Sequence, residues 1–132
     1  MNALTQPILT APVAFTICRW LKARDFLLEA IQRLDGTHTE EDIVAMLLSG
    51  RAGLWLNGAC AAVTEIAQNG RLKEVNVLIA GGKMEDIVAM KPSLEQHAQK
   101  MNCDRVVIRG RKGWERVHPD YRLSGITLCK EV

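Results

Sequence analysis

Long apolar runs are what this sequence most lacks. No stretch approaches the roughly 18–20 consecutive apolar residues of a membrane-spanning helix; the longest runs, residues 43–48 and 75–80, have the length of core elements. Charge of one sign is also missing. Seventeen Lys and Arg face fifteen Asp and Glu, a formal net charge of +2, which gives no global pull toward nucleic acid or an anionic membrane. Binding of either kind would need a local patch. Close pairs of metal ligands are absent: Cys18, Cys60, Cys103 and Cys129 form no C-x-x-C, and His38, His97 and His118 are equally scattered. This spacing does not suit a zinc site, so no metal is expected, and the cysteines read as free thiols. The first fourteen residues carry Pro7 and Pro12 and have neither a basic start nor a continuous apolar stretch. They read as an extended arm rather than a secretory leader, ahead of a single domain over 15–132, and the expected location is cytoplasmic.

What is present is ordinary globular composition, 48% hydrophobic and 24% charged, in a length that suits one core. Residues 23–34 have helical spacing, with Leu27, Ile31 and Leu34 on one stripe widened by Phe26 and Ala30. Thr39 followed by Asp42 resembles a capping box and opens a second helix through Leu48. The texture then changes to strands. Asn57-Gly58 and Asn69-Gly70 are hairpin signals around 52–56, 59–67 and 72–79. The last of these is apolar almost throughout from Val75, which predicts a central strand buried on both faces.

Gly81-Gly82 closes that strand, and helical pattern resumes from Met84 to about Asn102, with Pro92 either kinking one helix or starting another. A strand over 104–108 follows, parallel to the strand before the helix by the usual crossover. A short helix or turn covers 113–117, and 121–129 has the pattern of a last strand. The hexapeptide Glu-Asp-Ile-Val-Ala-Met occurs at 41–46 and again at 85–90, but the flanks differ, and two helices sharing one amphipathic word explain it better than duplication. The sum is an α/β (α+β) domain with a mixed, mainly antiparallel sheet and helices on both faces.

Four stretches in that order give the chain a family likeness. They are Ser49-Gly50-Arg51-Ala52-Gly53-Leu54-Trp55-Leu56 running into Ala62-Val63-Thr64-Glu65-Ile66; residues 74–82; the helix ending at Met101-Asn102-Cys103 with the strand after it; and Gly110-Arg111-Lys112-Gly113-Trp114-Glu115-Arg116-Val117 leading to Tyr121. From about residue 15 onward the chain resembles the GNAT acyltransferase superfamily, and its ending is similar to the small GNAT-like proteins of tailed bacteriophages. The resemblance implies a V-shaped opening between the 72–79 and 104–108 strands, with acetyl-coenzyme A along Val77, Leu78, Ile79 and Ala80. The cofactor's pyrophosphate would lie on the backbone of Gly81, Gly82, Lys83 and Met84.

The chain departs from that family at two places. Active members carry a longer phosphate loop than Ala80-Gly81-Gly82-Lys83-Met84. Arg116 stands where they often place a tyrosine acid, and Tyr121 is the one tyrosine present. Glu74 is the candidate general base, with a solvated strand end as its bland alternative; Glu65 is a weaker one. Arg109, Arg111, Lys112 and Arg116 with Trp114 form a candidate phosphate or partner patch, or else a solvated turn anchored by Trp114. Cys103 with His97 or His118 is a remote thiol candidate, and Trp20 and Trp55 read as core or interface anchors. Two functions stand open. One is a non-catalytic phage-type GNAT-like protein acting in assembly, in the virion or on the host, with a protein partner or a second copy. The other is an acetyl-coenzyme A-dependent N-acetyltransferase with a reduced loop. No membrane or nucleic-acid partner is expected.

Overall fold

The computed structural model describes residues 11–110 and 113–132. Most of the expected arm lies outside them, but its end is tied down: the Val13 N–H donates to Leu54 O at 2.8 Å in an isolated antiparallel bridge. Helix α1, Ile17–Gln32, starts six residues before the apolar stripe predicts, because Thr16 caps it by accepting the Arg19 N–H at 3.1 Å. Its buried residues, Trp20, Ala23, Leu27 and Ile31, recur at intervals of three and four. Helix α2, Glu40–Leu48, begins in the predicted capping box. Thr39 Oγ1 accepts from the Asp42 N–H at 3.2 Å, and Asp42 Oδ2 from the Thr39 N–H at 2.9 Å.

Strands β1 (Gly53–Asn57), β2 (Cys60–Asn69) and β3 (Leu72–Gly82) form the meander, antiparallel throughout. Both hairpins form, one residue later than their Asn-Gly signals suggest. Asn57 pairs with Cys60 and Asn69 with Leu72, so each Asn ends a strand and each Gly, at φ +59° and +60°, takes the first of two loop positions. That placement suits a II′ turn. Helix α3, Met84–Lys100, is continuous through Pro92, which is exposed, so the Val88 carbonyl it leaves without a helical donor is on a face open to hydration. Strand β4, Arg105–Ile108, returns parallel to β3, as the crossover predicts.

The sheet order is β1-β2-β3-β4, so β3 is interior and buried from Glu74 to Ile79. Adjacent residues point to opposite faces. Leu54, Ala61, Val63 and Ile79 pack against α1 and α2 in one core, while Trp55, Cys60, Ala62 and Val77 pack against Met90 and Leu94 of α3 in the other. The fold is α+β, with a mixed, mainly antiparallel sheet and helices on both faces. Trp20 and Trp55 are both core residues. No described helix is long and apolar enough to cross a membrane.

The last strand predicted over 121–129 does not form. After a short 3-10 turn, Trp114–Arg116, residues 122–132 run without regular structure and are exposed throughout. Alternation of Ile126 and Leu128 with Thr127 and Cys129 supplies a strand pattern, but a strand also needs a partner, and no described strand pairs with these residues.

Candidate functional site

The end of β3 is built by one irregularity. Val63 pairs with Ile79 but Thr64 pairs with Val77, which makes Leu78 an extra residue in β3. Such a bulge bends its strand and strengthens its twist. Pairing with β4 stops at the same place: Glu74–Val77 match Arg105–Ile108, and β3 then continues from Leu78 to Gly82 beyond the end of β4. The two strands thus part after Val77 and Ile108.

The space beside that parting, under α3, is filled. Trp114 and His118 pack with Val77, Ala80, Ile108, Ile87 and Met90 around a void of about 10 Å³, room for about one water. The Trp114 indole also lies over Gly110, where an added Cβ would stand 2.5 Å from Trp114 Cδ2. His118 is buried, with ring centroids 5.5 Å from Trp114 and 6.0 Å from Tyr121. Three contacts with α3 hold the segment in place. Lys91 Nζ donates to Asp120 Oδ1 at 2.7 Å and lies 5.0 Å from the Tyr121 ring centroid, and Tyr121 Oη donates to Glu95 Oε2 at 2.9 Å. Burial, and then Lys91 nearby, hold the His118 imidazole below its usual range. The Asp120 carboxyl is lowered by its hydrogen bond from Lys91, and the Tyr121 phenol is pushed well up by burial and then by Glu95.

The glycine pair is committed to the sheet. Ala80, Gly81 and Gly82 pair with Ala62, Ala61 and Cys60, and the Lys83 N–H donates to Ala59 O at 3.0 Å. A Cβ on Gly81 would stand 1.9 Å from the Phe26 carbonyl oxygen, so glycine there lets the backbone of α1 reach the sheet. Gly82, at φ +115°, would place a Cβ 2.2 Å from Ala59 O. Lys83 is the one residue between β3 and α3, and the first turn of α3 carries Glu85 and Asp86. Acidic side chains there oppose an anion at a helix N-terminus.

Glu74 lies at the other end of β3, roughly 26 Å from Gly82 at about 3.3 Å per residue. Its side chain points to the face opposite Val77, and Arg105 Nε donates to its Oε2 at 2.5 Å. On the same face Asn76 donates to Glu65 Oε1 at 3.5 Å and accepts from Arg109 Nε at 3.4 Å. Glu74 and Glu65 therefore belong to a polar strip across β2, β3 and β4, and the fold does not bring them to the glycines. Arg109 and Arg116 are exposed, and Arg111 and Lys112 lie outside the described residues.

Cys60 is buried and its thiol is pushed up to about 11 by burial, then by Asp86, which suppresses the reactive thiolate. His97 packs edge-on to Trp55 at 5.4 Å, and His118 packs on Trp114 and Tyr121; neither contact involves Cys103. Among the described residues no cluster of three His, Cys, Asp or Glu could hold a metal. A second, open concavity of about 570 Å³ lies beside the start of β1 and the middle of β2, between Pro12, Val13, Arg51 and Glu65.

The sequence did not point to Lys91 and Glu95, nor to their meeting with His118, Asp120 and Tyr121. The one signal was the spacing of Lys91 and Glu95, four apart on one face of α3; what they meet is set by tertiary packing.

These features define a small α+β domain whose strand opening is occupied by its own C-terminal segment. Two crystal structures of TTHA1254 from Thermus thermophilus share the fold. A single-residue mutant of that protein superposes with a TM-score of 0.56 and its wild type with 0.53, each 18% identical, over 91% of this chain and 95% of that one. No family model and no curated protein matches the sequence.

Proposed function

We propose that this chain is a non-catalytic GNAT-like protein of the tailed-phage kind, a protein-binding component of assembly, of the virion or of host interaction. The occupied opening carries this reading. Trp114 and His118 stand beside Val77 and Ala80, where an acyl-coenzyme A arm would lie, and Lys91, Glu95 and Tyr121 secure them. The glycine backbone that would cradle a pyrophosphate is paired with β2 and pressed on α1, and the acidic first turn of α3 opposes the anion. The Gly110–Val117 stretch and Tyr121 supply the likeness to phage proteins, and with it the host cytoplasm as the place of action.

The bulge at Leu78 favours a second reading, an acetyl-coenzyme A-dependent N-acetyltransferase with a shortened loop, because it parts β3 from β4 where the thioester would sit. Thermal unfolding with millimolar acetyl-coenzyme A separates the two. A ligand at 100 times its Kd stabilises by about 2.7 kcal/mol, several degrees for a domain of this size. The proposal expects no shift; a clear shift would favour the transferase.

A further inference from the structure

We infer that residues 122–132 are a donated strand, taken up at the open edge of β4 in a second copy of this chain. Two unfinished surfaces on one molecule carry the inference. The first is the tail. Every residue from Arg122 to Val132 is exposed, with Leu123 at 69%, Ile126 at 82% and Leu128 at 91%. Apolar side chains this open, in an alternating stretch of Ile126, Thr127, Leu128 and Cys129, have the chemistry of a strand with one face meant for a core. The second is the edge. Strand β4 ends the sheet, and among the described residues nothing pairs with its outer side. Val106 and Ile108, which pack toward α3, stay only half-buried there.

An unpaired edge is a template for another strand, and addition of an extended segment to such an edge is a recurrent mode of recognition. In the single chain the tail leaves Tyr121, fixed to Glu95 of α3, and forms no strand paired with its own β4. The edge of a second copy satisfies it. The exchange is self-complementary: each copy gives a tail and receives one, as a two-fold dimer requires. With Ile126 and Leu128 turned to the α3 side, each tail would extend the core that Val106 and Ile108 begin. Tail, edge and the helix side chains beneath would amount to about 20 residues a side, in the range of a stable interface. A dimer of this kind does not depend on whether the chain transfers an acyl group.

The test uses the full chain in solution. Light scattering after size exclusion should give twice the 14.7 kDa chain mass. The double variant Ile126→Asp with Leu128→Asp should give the monomer mass and an unchanged circular dichroism spectrum, since both side chains are exposed in the single chain. Hydrogen exchange should show amides of 126–129 and 105–108 protected in the wild type and open in the variant. A wild-type monomer at 100 µM would overturn the inference, whether its tail is bare or protected on its own β4. So would a dimer that survives the double substitution.

Discussion

Lys91 Nζ and Asp120 Oδ1 stand 2.7 Å apart, the first on a side chain 9% exposed and the second on one 59% exposed. The pair joins the middle of α3 to the segment that fills the strand opening, and its asymmetry has a consequence. Removing Asp120 leaves an ammonium inside the protein without its carboxylate, whereas removing the Lys91 charge leaves a carboxylate that water can solvate. Asp120→Ala should therefore lower the melting temperature more than Lys91→Met. Thermal melts of the two variants at pH 7.5 give the order, and the reverse order would mean that the pair does not secure the segment.

The hydroxyl of Tyr121 makes the neighbouring contact, to Glu95. Tyr121→Phe keeps the ring beside Lys91 and His118 and removes only that bond. The expected loss is about 1 kcal/mol, a fall of a few degrees in a melt. Cleavage by trypsin at Arg116 and Arg122 should quicken in the variant if the bond keeps this segment closed.

His118 gives the same segment a pH dependence. Its ring nitrogens, buried, have no hydrogen-bond partner among the described residues, and the groups around it are Trp114, Tyr121, Lys91 and Asp120. Burial and the Lys91 charge hold its protonation below the usual value, and Asp120 offsets this in part. The unfolded chain takes a proton near pH 6.5 while the folded chain does not. Just below that pH the unfolded state binds more protons, so stability falls as pH drops. Melting temperature should decline between pH 7.5 and 5.5, and His118→Phe, which fits the aromatic contacts without titrating, should flatten the decline.

Local chemistry was legible in the sequence and distant packing was not. Thr39 and Asp42 announce their capping box within four residues, and the two Asn-Gly pairs announce their hairpins; these contacts close over short separations and need no partner from elsewhere. The parallel return of β4 follows from one crossover rule. Glu74 and Gly81 could be named as candidates, but not their partners: Arg105 is 31 residues from Glu74, and the Phe26 carbonyl that Gly81 approaches is on another element. Residues 121–129 show the limit from the other side. Their alternation is that of a strand, and whether a strand forms depends on an edge that the pattern itself does not contain.

The four thiols should separate by environment. Cys18 and Cys129 are exposed, Cys103 is half-buried, and Cys60 is buried with its thiol pushed up to about 11. The thiolate is the reactive form, so at pH 8 a thiol reagent should label Cys18 and Cys129 quickly and Cys60 only as the chain unfolds. Peptide mass mapping over time reads the order. Early labelling of Cys60 would mean that the hairpin end of β2, where Asn57 O accepts its S–H at 3.3 Å, opens in the native state.

Gly81 tests whether the glycine pair serves packing or a ligand. An alanine there would set its Cβ 1.9 Å from the Phe26 carbonyl oxygen, a contact with helix backbone that no rotamer change relieves. Either α1 moves off the sheet, loosening the core around Leu27 and Ile79, or β3 shifts out of register with Ala61. Overpacking against side chains costs about 1–3 kcal/mol, and against backbone the upper end is expected, about 3 kcal/mol and on the order of 10 °C in the melt. Gly110→Ala meets the Trp114 side chain, at 2.5 Å, rather than helix backbone, so its loss should be smaller. The order separates the two roles when acetyl-coenzyme A is present. If Gly81 serves packing, Gly81→Ala loses the same stability with and without the cofactor. A loss that grows with cofactor would mean that the wild type gains stability from a bound ligand and that these glycines help to hold it.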